Sequence, residues 1–145
     1  MECRRANLFD VSAITAMPVE MHNNTEIKLT KLNTEKLINK INEALHRGII
    51  FVVHDDNNIV GSIGGMVVSD WWSDETHLSH LWFYVSPSQR KSNAAMLLVK
   101  NFIKLSKEAK LTVRLGHVFS GDVERKDKFF ERLGLIKAGS VYVEK

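Results

Sequence analysis

The chain is 145 residues long with 44% hydrophobic and 26% charged residues, which excludes a disordered or fibrous protein and fits one folded domain over residues 1–145. Twenty Lys and Arg against seventeen Asp and Glu leave a formal charge of +3, and that mild, scattered excess argues against a nucleic-acid partner. Cys3 is the only cysteine, so an intramolecular disulfide and a cysteine-based metal cage are both excluded, and no metal is expected.

Glu2 to Ala6 suits a short first strand, and Asn7 with Asp10 three residues on reads as a helix N-cap. Leu8, Val11 and Ile14 recur at helical spacing up to Pro18, which is expected to close the segment or start a loop. His22 to Lys31 is polar and irregular. A second helix is clearer: Asn33 caps it, Glu35 lies in its first turn, Leu37, Ile38, Ile41 and Leu45 share one face, and Gly48 follows its end. Ile49–Val53 and Ile59–Ile63 flank the turn residues Asp55 to Asn58, a hairpin pattern. Gly64-Gly65 inside the second arm suggests a bulge or a close backbone approach.

Trp71 and Trp72 lie in the connection Ser69 to Asp74; they line a substrate cleft, or at least one covers the sheet edge, the reading preferred here. Glu75 to Val85 is rich in aliphatic and aromatic residues without strict alternation, as expected of a central strand covered on both faces. Ala94, Leu97, Leu98, Phe102 and Leu105 mark a helix ending near Lys110, and Leu111 to Leu115 is another strand. Asp122 suits the cap of a last helix with Phe129, Phe130 and Leu133 on one face and Gly134 as its stop, and Leu135 to Val143 supplies final β structure. The order β-α-α-β-β-β-α-β-α-β implies an α/β sheet with helices on both faces. No apolar run approaches the roughly 18 residues of a membrane span, and Met1 to Arg5 does not lead into a signal-peptide core, so a cytoplasmic protein with no membrane partner is expected.

The most informative stretch runs from Val85 to Ala95, between a strand and a helix. A helix start offers free N–H donors and the positive end of the helix dipole, which suits a phosphate. Arg90, Lys91 and Ser92 add charge and a hydroxyl, and the small Asn93, Ala94 and Ala95 let a bulky ligand approach the backbone; an ordinary capped turn fits the same residues equally well.

Two motifs resemble the GNAT N-acetyltransferase superfamily. Arg90-Lys91-Ser92-Asn93-Ala94-Ala95 is similar to its cofactor motif Arg/Gln-x-x-Gly-x-Gly/Ala, with Asn93 at the first glycine, and Phe129-Phe130-Glu131-Arg132-Leu133-Gly134-Leu135 to its Phe-Tyr-x-x-Leu-Gly-Phe. The resemblance covers most of the chain. It implies a mixed, mostly antiparallel sheet and an acetyl-CoA-dependent N-acetyltransferase, with an amine of a small molecule or protein attacking the thioester directly. It implies further that the strand before the turn splays from its neighbour, its backbone at Phe83, Tyr84 and Val85 pairing with the pantetheine arm. The expected substitute for a left-handed glycine is Asn93, since Asn tolerates that backbone better than most residues.

An amine titrating near about 10.4 needs a proton acceptor, and a histidine near about 6.5 serves at neutral pH. His80, ten residues before Arg90, stands where several family members carry their catalytic carboxylate; a structural hydrogen-bonding role is the alternative. His77 is three residues away and so on the opposite strand face, and Glu75 is a further carboxylate candidate. The family's tyrosine general acid falls at Phe130, which cannot donate a proton but suits packing against the pantetheine arm. Tyr84 and Tyr142 are the only tyrosines, and Tyr142 is taken as the candidate donor. Val123 stands near the family's loop asparagine, with Ser120 and Asp122 as substitutes for its polar contact. Asn93 and Phe130 motivate a second reading, a catalytically degenerate GNAT fold kept as an interaction module. The chain ends about where a last strand begins, which leaves completion of the sheet by a second copy, a homodimer, open.

Overall fold

The computed structural model describes residues 1–25, 27, 29–117 and 121–144. β1 (Glu2–Arg5) leads into a 3₁₀ turn, Leu8–Asp10, closed by a reciprocal cap. Asn7 Oδ1 accepts the Phe9 N–H at 2.9 Å, and Asp10 accepts the Asn7 N–H at 2.8 Å. The same carboxylate takes two hydrogen bonds from the Arg4 guanidinium, 2.7 and 2.9 Å, which pins β1 to the first helix.

That helix, α1 (Val11–Asn24), contains Pro18 and is not ended by it. Proline inside a helix costs about 3 kcal/mol through its lost hydrogen bond and its clash with the preceding turn. Burial of a side chain such as Ile14 or Met17 returns about 1.5–3 kcal/mol each, so the two on one face of α1 offset the proline. α2 (Thr34–Arg47) begins as expected, with Asn33 Oδ1 accepting the Lys36 N–H at 3.0 Å, and Gly48 follows its last residue.

β2 (Gly48–Asp55), β3 (Asn58–Ser69) and β4 (Thr76–Val85) form an antiparallel meander, with Asp56 in left-handed conformation (φ 54°) at the first turn. β5 (Thr112–Arg114), reached through α3 (Ala94–Glu108), lies parallel to β4, and the sheet order is β1-β2-β3-β4-β5. The glycine pair marks a bulge, whose extra residue lies on the facing strand: Gly64 faces Trp82 and Gly65 faces His80, leaving Leu81 unmatched. Close approach holds as well. A Cβ on Gly64 would sit 2.2 Å from the Trp82 ring, and one on Gly65 would sit 2.7 Å from Phe102 Cζ.

The bulge changes which way β4 faces. Leu78 before it and Phe83 and Val85 after it join the core beneath α3, while Trp82 joins Ile14, Ile41 and Ile50 beneath α1 and α2. Trp82 donates its Nε1–H to Ser62 Oγ (3.1 Å), and that hydroxyl donates to the Phe51 carbonyl (3.0 Å), so the buried indole is satisfied.

α4 (Val123–Arg132) closes the described fold. Asp122 occupies its N-cap position in left-handed conformation (φ 50°) without a side-chain cap bond, its carboxylate lying 3.7 Å from Arg125. Gly134 ends the helix as expected, its N–H reaching the Glu131 carbonyl at 3.0 Å. The final β structure expected over 135–143 is not found among the described residues: the three-residue β5 offers little edge to pair with, and Ile136 and Val141 stand exposed. Trp71 and Trp72 overturn the preferred edge-covering reading. They are 93% and 65% exposed and meet each other edge to face at 5.4 Å, in a loop tied to β5 by a bidentate Asp70–Arg114 pair. Among the described residues no helix is long and apolar enough to cross a membrane.

Candidate active site

Between β4 and α3 the chain makes a 3₁₀ turn, Pro87–Gln89, tied back to the sheet where the Ser86 N–H meets the Val60 carbonyl at 2.8 Å. Ser92 organises the step from this turn into α3: its hydroxyl donates to the Gln89 carbonyl (2.6 Å) and accepts the Ala94 N–H (3.2 Å). The first helical bond back runs from the Leu97 N–H to the Asn93 carbonyl, 3.0 Å, so the N–H groups of Ala95 and Met96 lie between without a helical acceptor. Asn93 has φ −85° and ψ 8°, so the turn needs no left-handed residue there, contrary to expectation. Ala94 is buried and Ala95 half-buried, which leaves the helix start without bulk.

Arg90 folds back onto the strand. Its Nε donates to the Val85 carbonyl at 3.2 Å, and its guanidinium lies over the Tyr84 ring, 5.9 Å from the centroid. Lys91, Ser92 and Asn93 are exposed beside it. Lys126, at the start of α4, contributes to the same place: burial, then the Arg90 and Arg125 charges, hold its ammonium below the usual range. Only the fold, by bringing the start of α4 near this turn, makes that visible.

β4 runs beside β5 only from His77 to Ser79, paired with Thr112 to Arg114. Beyond Ser79 the edge of β4 from His80 to Val85 has no strand on that side among the described residues, while its other edge stays paired with β3. Backbone groups in such a strand alternate sides, so this edge leaves N–H and C=O groups directed into the opening. Phe83 projects among Phe129 and Phe130 of α4, with centroids at 6.4 and 6.1 Å, forming an aromatic wall. Tyr84 points to the opposite face, its hydroxyl buried and without a hydrogen-bond partner among the described residues. Burial, then the Glu20 carboxylate, pushes that phenol up to about 12.

His80 is half-buried on β4, and its ring makes no hydrogen bond among the described residues. Burial, then electrostatic interaction with the neighbouring His117, holds its imidazole below the ordinary histidine value. The ring lies against the chain at Gly116, where an added Cβ would be 3.3 Å from His80 Cε1. His117 is the residue sequence reading missed. Its Nε2 is 2.7 Å from Asp127 Oδ1, Lys137 Nζ donates to Asp127 Oδ2 at 3.0 Å, and its ring stacks on Phe130 with centroids 5.8 Å apart and planes 4° from parallel. Those two hydrogen bonds hold the Asp127 carboxyl below the usual range. No spacing rule joins the end of β5 to the second turn of α4, so the pair appears only on folding.

Other candidates lie elsewhere. Tyr142 is 91% exposed in the C-terminal stretch, and no hydrogen bond or ring contact joins it to His80 or Phe130 among the described residues. His77 is buried, Glu75 is exposed before the start of β4, and Val123 opens α4 with an exposed side chain. Ser120 lies outside the described residues. Cys3 packs half-buried against the core, and burial pushes its thiol up to about 11, so it stays protonated at neutral pH.

Comparison with known proteins accounts for this layout. Structures sharing the fold include a predicted acetyltransferase from Clostridium acetobutylicum solved with acetyl-CoA, with TM-score 0.77, 12% identity, and 99% of this chain and 95% of that chain covered. The acetyltransferase AAC(6')-Iy, solved with the bisubstrate analogue CoA-S-monomethyl-acetylneamine, gives TM-score 0.76, 13% identity, and 99% and 96% coverage. A Trypanosoma brucei acetyltransferase gives TM-score 0.69, 19% identity, and 99% and 98% coverage. Among curated proteins no sequence matches. The sequence profile of the acetyltransferase (GNAT) family matches residues 15–135, most of the chain, and with the mostly antiparallel sheet, the parting of its central strands and the turn into α3, the chain belongs to the GNAT acetyltransferase family.

Proposed function

We propose that the protein transfers an acetyl group from acetyl-CoA directly to an amine of a small molecule or protein, in the opening between β4 and β5. The observation that carries this reading is the unpaired β4 edge from His80 to Val85 ending at the Arg90–Ala95 turn: a backbone ladder for an extended amide-bearing arm, followed by donors and positive charge for a pyrophosphate. In it the pantetheine arm runs along Phe83, Tyr84 and Val85 with Phe130 packed against it. The phosphates lie at Arg90, Lys91, Ser92, Asn93, Ala94 and Ala95.

His80 takes the proton from the attacking amine, directly or through water. An imidazole held below its ordinary pKa is in its basic form at neutral pH, and one without a hydrogen-bond partner has its lone pair available. The nitrogen forms its bond to the thioester carbonyl carbon, the C–S bond breaks, and sulfur leaves with the electron pair. Neighbours solved with acetyl-CoA and with a CoA bisubstrate analogue support the choice of donor.

A second reading, an interaction module without turnover, draws on the phenyl ring of Phe130 where the resemblance expects a phenol. Calorimetric titration with acetyl-CoA, wild type against an Arg90→Glu, Asn93→Asp double variant, separates the possibilities. Micromolar binding abolished in the folded variant supports the site, and thiol release with a library of amines, lost in His80→Ala, supports transfer. A folded wild type that binds no acetyl-CoA sinks the donor reading; binding without turnover on any amine favours the module.

A further inference from the structure

We propose that His117 is the proton donor of this reaction, delivering the proton on Nδ1 to the departing coenzyme-A sulfur, and that Asp127 is the positioning residue that holds it ready. The inference rests on the acetyl-transfer reading above and assigns the step which that reading leaves without a group.

An ionised carboxylate only accepts, so His117 Nε2 must carry a hydrogen toward Asp127 at 2.7 Å. The variable proton of the ring is therefore on Nδ1, which has no partner among the described residues. Lys137, 3.0 Å from the other carboxylate oxygen, keeps Asp127 ionised and fixes its orientation. Stacking on Phe130 at 5.8 Å fixes the ring plane, so imidazole rotation is restrained by a hydrogen bond at one edge and an aromatic face on the other side. Ordering the ring costs side-chain entropy, which the hydrogen bond and the stacking offset, and Nδ1 is left as the nitrogen open to a ligand.

Position supplies the use. His117 lies just beyond β5, on the far side of the opening from the free edge of β4, and the Phe130 ring on which it stacks also meets Phe83 of β4 at 6.1 Å. His80 of β4 lies against Gly116, the residue before it, so the two imidazoles flank one space. The charged and titratable groups facing His117 are then His80 from β4 and Asp127 from α4, with Lys137 behind Asp127. Their surroundings divide the work: His80 is held low by burial and by its neighbour His117, whereas His117 has the Asp127 carboxylate on Nε2 and its Nδ1 without a partner among the described residues. A proton acceptor and a proton donor on two sides of a thioester are what amine acetylation requires. As the C–N bond forms and the C–S bond breaks, the amine proton passes to His80 or water, the sulfur takes the Nδ1 proton, and water returns a proton to His117. The sum is amine and thioester to amide and thiol.

The test uses the full chain and coenzyme A itself. Binding is measured calorimetrically for wild type, His117→Gln and Asp127→Asn, and ionisation of the bound thiol is followed by its ultraviolet thiolate absorbance as pH rises. The bound thiol in wild type should ionise about one pH unit below free coenzyme A, a tenfold change, and both variants should return it toward the free value without loss of binding. In turnover with an amine library, His117→Gln should lower kcat by about 10²-fold or more with the KM for acetyl-CoA unchanged. Adding Phe130→Tyr to His117→Gln should restore much of that rate, because the phenol would extend beside the missing imidazole. If wild type binds no coenzyme A, the acetyl-transfer reading falls and this one with it. If coenzyme A binds but its thiol ionises as in solution, or if its ionisation or kcat is indifferent to His117→Gln, this assignment alone is overturned.

Discussion

Gly64→Ala tests the core of the sheet, because the structure leaves the new methyl no direction to go. Its Cβ would lie 2.2, 2.3 and 2.6 Å from Cζ2, Cη2 and Cε2 of Trp82. Ordinary carbon contacts begin near about 3.5 Å, so the indole must retreat by roughly 1.3 Å. It is not free to do so: Nε1 is held 3.1 Å from Ser62 Oγ, and the ring is packed among Ile14, Ile41, Ala44 and Ile50. Overpacking of a filled core costs about 1–3 kcal/mol, and the broken hydrogen bond adds about 1 kcal/mol. At roughly 2–4 °C per kcal/mol for a domain of this size, the melting temperature should fall by about 5–15 °C.

Thermal and urea unfolding followed by far-ultraviolet circular dichroism measures this, with an unchanged urea slope showing that the unfolding transition is the same one. Trp82→Leu removes the obstacle and is itself destabilising, by about 2–4 kcal/mol. The Gly64→Ala, Trp82→Leu double variant should therefore be less damaged than the sum of the singles, by at least about 1 kcal/mol. A Gly64→Ala protein melting within about 2 °C of wild type, or strict additivity in the cycle, would refute the reasoning.

Gly134 offers the opposite case: φ is +88° and an added Cβ meets nothing within 4 Å, so Gly134→Ala should cost only the backbone term, about 1 kcal/mol, read as a small drop in melting temperature. Arg4→Ala strands the buried carboxylate of Asp10 and should cost about 1–3 kcal/mol in urea unfolding at neutral pH, discounted because Arg4 is partly exposed. Asp10 is held below the usual carboxylate range, chiefly by Arg4, so that stabilisation is complete above about pH 3.9 and is lost as pH falls through the folded value; acid titration of Arg4→Ala should lack that limb. His80 is likewise held low, so the folded state resists a charge there that the unfolded chain accepts below about pH 6.5. The acid limb of kcat/KM should accordingly lie below that pH and vanish in His80→Gln, and a limb at or above it would count against His80 as the base.

Most of the fold could be read from local chemistry because local chemistry decides it. Asn7, Asn33, Gly48 and Gly134 stand where helices begin or end, and each sets its boundary through one or two backbone bonds to near neighbours. The failures share a different character. Pro18 reads as a stop by its own propensity, and the burial of Ile14 and Met17, a tertiary matter, overrides it. Leu135 to Val143 reads as a strand by composition, but a strand exists only where another edge pairs with it. Trp71 and Trp72 read as covering the sheet edge, yet they stand 93% and 65% exposed and meet only each other, edge to face. The Gly64-Gly65 signal was legible as a disturbance, but the strand bearing the extra residue was not, since a bulge is a property of two strands at once.

The same distinction separates the two halves of the candidate site. The phosphate turn is contiguous, from Val85 to Ala95, so its donors and its small residues are visible together in the sequence. The proton transfer proposed above draws instead on β4, the end of β5 and α4, residues 80, 117 and 127, which lie far apart in sequence and meet only where the chain leaves β5 and packs against α4. Parity along β4 makes this concrete. His77 and His80 are three apart with regular pairing between them, so they face opposite ways; His77 is buried, and His80 shares the α3 and α4 side with Leu78. The bulge then reverses parity before Trp82, turning the large indole to the other side, and without that reversal Trp82 would project on the same side as His80, into the space flanked by His80 and His117. Leu81 thus has a definite consequence: one unmatched residue keeps the largest side chain of β4 out of the opening while leaving the histidine in it. Inserting one residue between Gly64 and Gly65 gives Leu81 a partner and should restore regular pairing, placing Trp82 on the same side as His80, so a folded insertion variant that still binds acetyl-CoA as wild type does would show that the bulge has no part in shaping the site.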